Sequence, residues 1–286
     1  MKFSVTSSLY YQAFEPSTII CSFTCGERSA QKVIQEDIES NPAIGYEELT
    51  VGLDANRLLK FEIPEAGNFS IQYQATVKKS VNLISISAIK DDSKSAYEEA
   101  AFSYLHASRY VPTDRLRCIA HDQFGKISGR LNQVLAIEEW LFNNIYYQIG
   151  ASNEQSWALD TYQLRNGVCR DFAHLGIGFC RALNIPARYV TVYSYLLNPQ
   201  DFHAVFEAYI DGTWILFDGT RLAPLNGMIR IATGRDASET AVGNLYGNIQ
   251  GKGLNVWTQI AMDETEVFEP LTRQDLTDQE KVLMLG

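Results

Sequence analysis

A chain of 286 residues is longer than most single domains, so its length favours two domains. With 46% hydrophobic and 12% aromatic residues it can fill folded cores, which excludes a disordered protein. Because 34 acidic residues outnumber 24 basic ones, the formal net charge is −10, which argues against nucleic acid or an anionic membrane as a partner. No apolar run reaches the roughly 18 residues that would predict a membrane-spanning helix.

The first part of the chain has the alternation expected of half-buried β-strands. The clearest case is Phe69–Val77, in which apolar and polar residues alternate throughout. Turns rich in Gly, Asn and Pro, such as Pro64–Asn68, separate the strands. We therefore predict a small all-β sandwich domain over residues 1–90, with Lys90–Ser95 as the linker that leaves it.

The first residues and the cysteines bear on the compartment. Residues 1–8 lack the apolar core of a secretion signal, which predicts a cytoplasmic protein. Five cysteines at irregular spacing do not form the pattern of a disulfide framework. Cys21 and Cys25 lie in a β-patterned stretch and are predicted to be packed thiols rather than metal ligands. Cys118 and Cys180 fall within helical patterns and are predicted to be core residues.

Residues 91–286 change to a helical pattern and then to an antiparallel one. Asn132–Tyr146 is the clearest amphipathic helix, with apolar residues at three- and four-residue steps. Another helix is predicted to begin near Cys169, and the period then becomes two. Asp211–Gly212 predicts a tight hairpin between two of these later strands, and Leu254–Ala261 predicts a further strand. Helices followed by an antiparallel sheet predict an α+β fold for this second domain.

The most informative segment is Asn166–His174, because it places Cys169 where a loop becomes a helix. Gly167 permits a tight entry into that turn. The first turn of a helix has free backbone N–H groups and the positive end of the helix dipole, which stabilise a thiolate. The N–H of Cys169 would also be free to bind an oxyanion. These features alone leave open both a nucleophile and a packed structural thiol.

Two later residues could supply a base and a carboxylate. His203 lies at a loop-to-strand junction, and Asp218 ends a strand beyond the hairpin. A base must contact the thiol through one ring nitrogen while a partner orients the other. Adjacent antiparallel strands would bring His203 and Asp218 together at facing positions. A satisfied strand histidine and a turn aspartate are the alternatives, but with Cys169 the ordered set predicts a cysteine-nucleophile enzyme.

Three blocks of this sequence form a pattern, and they are Asn166–Leu175 with Arg181–Tyr189 behind it, His203–Ala204, and Trp214–Asp218. Together they resemble the transglutaminase-like superfamily of cysteine enzymes. The first 85 residues resemble the N-terminal domain of many bacterial members, so the resemblance covers most of the chain. Two positions depart from the family pattern, since Val205 stands where many members have Trp, and Gly219 where many have Pro.

The resemblance implies a papain-like transglutaminase core, with helices packed on an antiparallel sheet, preceded by the small all-β sandwich. It also implies that Cys169 is the nucleophile, His203 the general acid/base and Asp218 the carboxylate that orients His203. The departures at Val205 and Gly219 change none of these three residues, but they leave the walls of the substrate cleft unspecified.

The neighbours of Cys169 are predicted to have supporting roles. Asp171 would cap the helix N-terminus, and His174 would lie about 140° around the helix, facing away from the thiolate. A second oxyanion donor should come from upstream, and the sequence does not choose among Tyr147, Gln148 and Trp157.

The leading hypothesis for function is a cysteine peptidase or amidase that acts on a peptide or protein through a thioester, with no metal or cofactor. A transglutaminase, in which an amine rather than water resolves the thioester, is the alternative. A non-catalytic module that binds a peptide or partner is a third interpretation, from another class. Neither nucleic acid nor a membrane is expected as a partner, and a homo-oligomer is compatible with the sequence.

Overall fold

The computed structural model describes residues 1–90 and 98–285. Apart from Lys90, the linker predicted at Lys90–Ser95 lies outside these residues. None of the helices in the described parts of the chain combines the length and the apolar character needed to cross a membrane.

The elements follow the predicted change from strands to helices and back to strands. The strands are β1 (Lys2–Ala13), β2 (Ser17–Cys21), β3 (Gln31–Asn41), β4 (Tyr46–Val51), β5 (Asn56–Ile63), β6 (Gly67–Lys79), β7 (Asn82–Ser85), β8 (Tyr146–Tyr147), β9 (Asn166–Gly167), β10 (Ala187–Ser194), β11 (Phe202–Ile210), β12 (Thr213–Phe217), β13 (Met228–Gly234), β14 (Gly243–Tyr246), β15 (Ile249–Ile260) and β16 (Lys281–Met284). The α-helices are α1 (Glu99–Phe102), α2 (Thr113–Phe124), α3 (Arg130–Asn144), α4 (Ala158–Leu164), α5 (Cys169–Ala182) and α6 (Arg273–Asp278).

The predicted sandwich consists of two four-stranded antiparallel sheets, with strand orders β15-β1-β6-β3 and β14-β2-β5-β4. Apolar alternation produces these strands, as in β6, where every second residue from Phe69 to Lys79 is buried. Side chains from both sheets, including Phe3, Ile19 and Phe61, meet in one apolar core. The N-terminal all-β sandwich is therefore confirmed.

Both sheets of the sandwich are completed by strands from much later in the chain. β15 pairs with β1 along its whole length, from Phe3 opposite Ile260 to Ala13 opposite Ile249. β14 pairs with β2 in the other sheet. The strand predicted over Leu254–Ala261 is present within β15, and its partner is the first strand. The division into residues 1–90 and 91–286 stays a prediction, because the sandwich takes strands from both sides of that boundary.

A helical layer packs on the antiparallel sheet β12-β11-β10-β13. Helix α5 is central, since every residue from Asp171 to Ala182 is buried. It contacts β10, β11 and the helices α2, α3 and α4. Val134, Leu141 and Phe206 belong to the core between these layers. The predicted α+β fold, with helices packed on an antiparallel sheet, is confirmed.

The prediction that Cys118 is a core residue is wrong, because its side chain is exposed. Helix α2 directs Leu116, Ala120 and Phe124 towards the core. Cys118 lies two residues beyond Leu116, about 200° around the helix, and therefore faces solvent. The other cysteines predicted to be packed are buried, and these are Cys21, Cys25 and Cys180.

Candidate active site

Cys169 is the first residue of α5, as predicted. The Asp171 carboxylate accepts a hydrogen bond from the Val168 N–H at 2.8 Å and another from the Ser152 hydroxyl, which confirms its capping role. A Cβ at Gly167 would lie 2.6 Å from the Asp171 Cβ. Glycine is therefore needed at 167 because Asp171 packs against the loop.

The short parallel pair β8–β9 fixes the loop that precedes Cys169. Tyr147 pairs with Gly167, and the Gln148 N–H donates to the Gly167 carbonyl at 2.9 Å. This pairing holds the Tyr147 hydroxyl against the backbone amide and the thiol of Cys169. Burial raises the pKa of Tyr147 to about 12, and the charge of the neighbouring Cys169 adds to the rise. Of the three candidate oxyanion donors, Tyr147 is therefore the one that lies beside Cys169.

The other two candidate oxyanion donors are directed elsewhere. The Gln148 Oε1 accepts from the Asn166 amide at 3.4 Å. Trp157 precedes α4, and the Arg115 guanidinium lies over its ring. Within the described residues, no recorded contact joins Gln148 or Trp157 to Cys169.

The hairpin β11–β12 carries His203 and Asp218. The turn predicted at Asp211–Gly212 joins the two strands, and both of its residues have positive φ. Strand pairing ends with Phe206 opposite Phe217, one residue before Asp218. His203 and Asp218 are therefore diagonal neighbours rather than the directly facing pair that we predicted, a separation that side chains of this length can bridge.

His203 and Asp218 form a buried hydrogen-bonded pair. The His203 Nε2 lies 2.9 Å from the Asp218 Oδ2, and both side chains are 1% exposed. The same ring contacts the Cys169 thiol, and since Nε2 faces Asp218, Nδ1 is the nitrogen left for sulfur. Burial lowers the pKa of His203, but the charges of Asp218 and Cys169 outweigh burial and raise it to about 10.

The protonation of Asp218 follows from the same contacts. Burial raises the pKa of Asp218, whereas His203 and Thr220 lower it, and the net shift is downward. The arrangement thus favours an imidazolium beside a carboxylate, with the thiol on the other side of the ring.

Asp218 has further hydrogen bonds, one of which connects it to a second buried pair, Glu138 and Arg273. Its Oδ1 accepts from the Thr220 N–H at 2.9 Å and from the Thr220 hydroxyl at 2.8 Å. Its own N–H donates to the Glu138 Oε1 at 2.8 Å. Glu138 in α3 is buried, and its Oε2 lies 2.5 Å from the Nε of Arg273 in α6. The C-terminal helix is thereby connected to Asp218 through Glu138, a link that the sequence reasoning missed.

His174 has the structural surroundings that were predicted for it. Its Nε2 accepts from the Ala237 N–H at 3.1 Å, and its ring packs between Tyr110 and Tyr189. Burial lowers the pKa of His174 to about 3, so the ring is neutral at ordinary pH. A neutral, enclosed ring of this kind supports packing rather than proton transfer.

Cys169 and His203 open into a cleft of about 540 Å³, a volume typical of ligand sites. Cys169 is partly exposed in it, so a substrate carbonyl can reach the thiol. Tyr110 and Arg170 also line the cleft, as does the segment Gly243–Leu245. In residues 1–90 and 98–285, no group of three His, Cys, Asp or Glu side chains is arranged to hold a metal ion.

Comparison with known proteins matches both the N-terminal and the later part of the chain to transglutaminase families. Residues 1–97 match the family described as bacterial transglutaminase, N-terminal domain, and residues 117–219 match the transglutaminase-like superfamily. The crystal structure of a candidate cysteine protease from Cytophaga hutchinsonii is 39% identical, with a TM-score of 0.94. That match covers 100% of this chain and 98% of the Cytophaga chain.

Other relatives are more distant. The uncharacterized protein ML0607 of Mycobacterium leprae is 27% identical over 160 residues, which is 52% of this chain. The match spans 56% of the length of that curated relative. The periplasmic domain of TgpA from Pseudomonas aeruginosa is 16% identical, with a TM-score of 0.40 and coverage of 75% of this chain and 76% of that chain. The whole-length match to the Cytophaga protein and the two family matches show that this chain belongs to the transglutaminase-like superfamily and is a cysteine-dependent enzyme of the hydrolase or transferase kind.

Proposed function

We propose that this protein is a cysteine peptidase or amidase that hydrolyses amide bonds through a thioester at Cys169. The supporting observation is the His203 ring, which contacts the Cys169 thiol on one side and lies 2.9 Å from Asp218 on the other. The name of the 39% identical Cytophaga protein, a candidate cysteine protease, favours hydrolysis over amine transfer.

The first half of the reaction forms the thioester. The Cys169 Sγ attacks the carbonyl carbon of the amide, and the carbonyl oxygen takes the negative charge. The imidazolium of His203 then gives its Nδ1 proton to the amide nitrogen, the C–N bond breaks and the amine leaves. Burial and the Asp218 carboxylate hold the ring in the orientation that this transfer needs.

The second half releases the acid. A water oxygen attacks the thioester carbon while the neutral His203 ring takes one proton of the water. The C–S bond breaks, the carboxylic acid leaves, and the thiolate–imidazolium pair is restored.

Two donors would bind the oxyanion in both halves. The Cys169 N–H is at the first turn of α5, where the helix dipole favours negative charge. The Tyr147 hydroxyl, which contacts that amide and the thiol, would be the second donor. We expect Tyr147→Phe to lower kcat by about 10- to 1,000-fold with a smaller change in KM.

Digestion of a peptide library by the wild type and by three variants tests the proposal. Cys169→Ala and His203→Ala should each lower kcat/KM by about 1,000-fold or more. Cys118→Ser is the matched control, because Cys118 is an exposed thiol outside the cleft, and it should keep kcat/KM within about twofold. Full activity of Cys169→Ala would rule out the proposed nucleophile.

Two further measurements separate the remaining hypotheses. An excess of a primary amine should divert little of a Gln-containing peptide, and mainly cross-linked product would identify a transferase instead. Iodoacetamide should alkylate Cys169 faster than Cys118 at neutral pH, and His203→Ala should remove the difference. If Cys169 and Cys118 share one pH profile in the wild type, the protein is better described as a binding module.

A further inference from the structure

The cleft that contains Cys169 and His203 is also lined by a strand of the sandwich. Gly243, Asn244 and Leu245 of β14 line the same cavity of about 540 Å³ as the thiol and the imidazole. β14 belongs to the sandwich sheet β14-β2-β5-β4, in which it is the outermost strand. The sandwich thus contributes an edge strand to the cleft that holds the reacting groups.

The backbone of β14 has two residues whose polar groups are not paired within the sheet. The Ser22 N–H donates to the Val242 carbonyl at 3.2 Å, and the register continues with Asn244 opposite Ile20. In an antiparallel pair, successive residues direct their N–H and C=O groups to opposite sides. Val242 and Asn244 therefore face β2, whereas Gly243 and Leu245 face away from it.

The two residues that carry the outward groups lie at the protein surface. Gly243 and Leu245 are both exposed. Among the described residues, no recorded backbone bond or side-chain contact satisfies their N–H or C=O groups. An edge strand with unpaired N–H and C=O groups is a template for another extended chain.

We propose that the free edge of β14 binds the substrate as an added β-strand, so that the substrate is an extended peptide recognised through its main chain. This inference rests on the proposed function. Gly243 and Leu245 are two residues apart, so each offers one N–H and one C=O to alternate residues of the substrate.

A second copy of this protein is a poorer occupant of the same edge. Stable dimers bury about 800 Å² on each partner, whereas β14 has only four residues. The edge also shares a cavity with Cys169 and His203, and only a chain entering the cleft brings a carbonyl to the thiol.

Two electrophiles that both alkylate Cys169 test the inference. Tetra-alanine chloromethyl ketone has a peptide backbone and iodoacetamide has none, so the ratio of their rate constants measures peptide recognition alone. Leu245→Pro removes the outward N–H without removing a bond to β2, as edge strands allow. Leu245→Ala is the matched comparison, because it loses the same side chain but keeps the N–H.

We expect the ratio of the ketone rate constant to the iodoacetamide rate constant to be about 2- to 10-fold lower in Leu245→Pro than in Leu245→Ala, because one hydrogen bond to the peptide is lost. Equal ratios in the two variants would overturn the inference. A second test uses only the wild-type protein and so does not depend on the folding of a variant. It compares a series of peptide chloromethyl ketones, each N-methylated at a different backbone position. Methylation at alternate positions should slow alkylation and methylation between them should not, and a uniform effect would contradict strand addition.

These outcomes are distinguishable from failure of the proposed function. If Cys169 were not an activated nucleophile, both electrophiles would label it at the rate of an ordinary thiol and independently of His203. If only the strand addition were wrong, His203-dependent labelling would persist while the ratio stayed the same in both Leu245 variants.

Discussion

Arg273→Met tests whether helix α6 holds Asp218, the carboxylate paired with His203, in place through Glu138. The change keeps an unbranched apolar stem but removes the guanidinium that lies 2.5 Å from the Glu138 carboxylate. It also removes the hydrogen bond at 2.9 Å to the Leu216 carbonyl. Glu138 would then be a buried carboxylate that keeps its hydrogen bond from the Asp218 N–H.

The expected loss of stability is large because the remaining charge stays buried. Breaking a buried ion pair from one side costs about 3–5 kcal/mol. With an unfolding entropy of roughly 2.1 cal/mol/K per residue, a chain of 286 residues would melt about 5–8 °C lower. Burial already raises the pKa of Glu138, and losing Arg273 would raise it further. The loss of stability should therefore be greater at pH 8, where the buried Glu138 carboxyl group must be ionised in the folded protein, than at pH 5.

Urea unfolding at pH 5 and pH 8 measures the loss of stability. The rate of Cys169 alkylation by iodoacetamide measures the effect on the site. The double variant Glu138→Gln/Arg273→Met is the matched control, because glutamine keeps an oxygen for the Asp218 N–H and removes the charge. It should regain more than half of the lost stability, and alkylation in the single variant should slow several-fold. A loss below about 1 kcal/mol in the single variant, as for an exposed ion pair, would refute the reasoning. So would a double variant no more stable than the single one.

Three further predictions concern the ionisable side chains. Because the pKa of His203 is raised from 6.5 to about 10, its pairing stabilises the fold fully below pH 6.5 and is lost as the pH rises to about 10. The difference in unfolding free energy between wild type and Asp218→Asn should therefore shrink from pH 7 to pH 10, and a constant difference would contradict the pairing. His174→Phe should keep the ring stacking but lose the acceptor of one backbone N–H, lowering the free energy of unfolding by about 1–3 kcal/mol in urea titrations. Alkylation of Cys169 should stay within about threefold in this variant, and loss of alkylation would show that His174 acts on the thiol. A disulfide reagent should modify Cys118 and Cys169 in the folded protein, and a third reactive thiol before unfolding would contradict the burial. The thiols expected to react only after unfolding are Cys21, Cys25 and Cys180.

Local patterns predicted the elements wherever burial follows the period of a strand or helix. Phe69–Val77 lies within β6, Asn132–Tyr146 overlaps α3, and α5 begins at Cys169. Local patterns do not indicate which strands pair when the partners are far apart in the chain. Gly251 and Gly253 interrupt the alternation of β15, and its register shifts opposite them. The pairing of β15 with β1 is therefore set by tertiary packing.

The residues that support the proposed site were harder to find than those that form it. Motif blocks indicated the thiol, the base and the carboxylate. Glu138 had a weaker signal, since it lies four residues after Val134 and three before Leu141, on the buried face of α3. A charged residue on an apolar stripe indicates a buried partner. Arg273 gave no such signal, because the segment around it is polar and the residues it contacts are distant in the chain.

The late arrival of β14 and β15 has a consequence for how the protein is made. During synthesis, β1 and β2 leave the ribosome long before the strands that cover their outer edges, which are joined only when residues near 260 have emerged. Until then, both sheets present unpaired backbone groups that can join other chains. Pairing between the two ends of a chain also makes folding slow, because a long loop must close first. The order of synthesis therefore differs from the order of assembly.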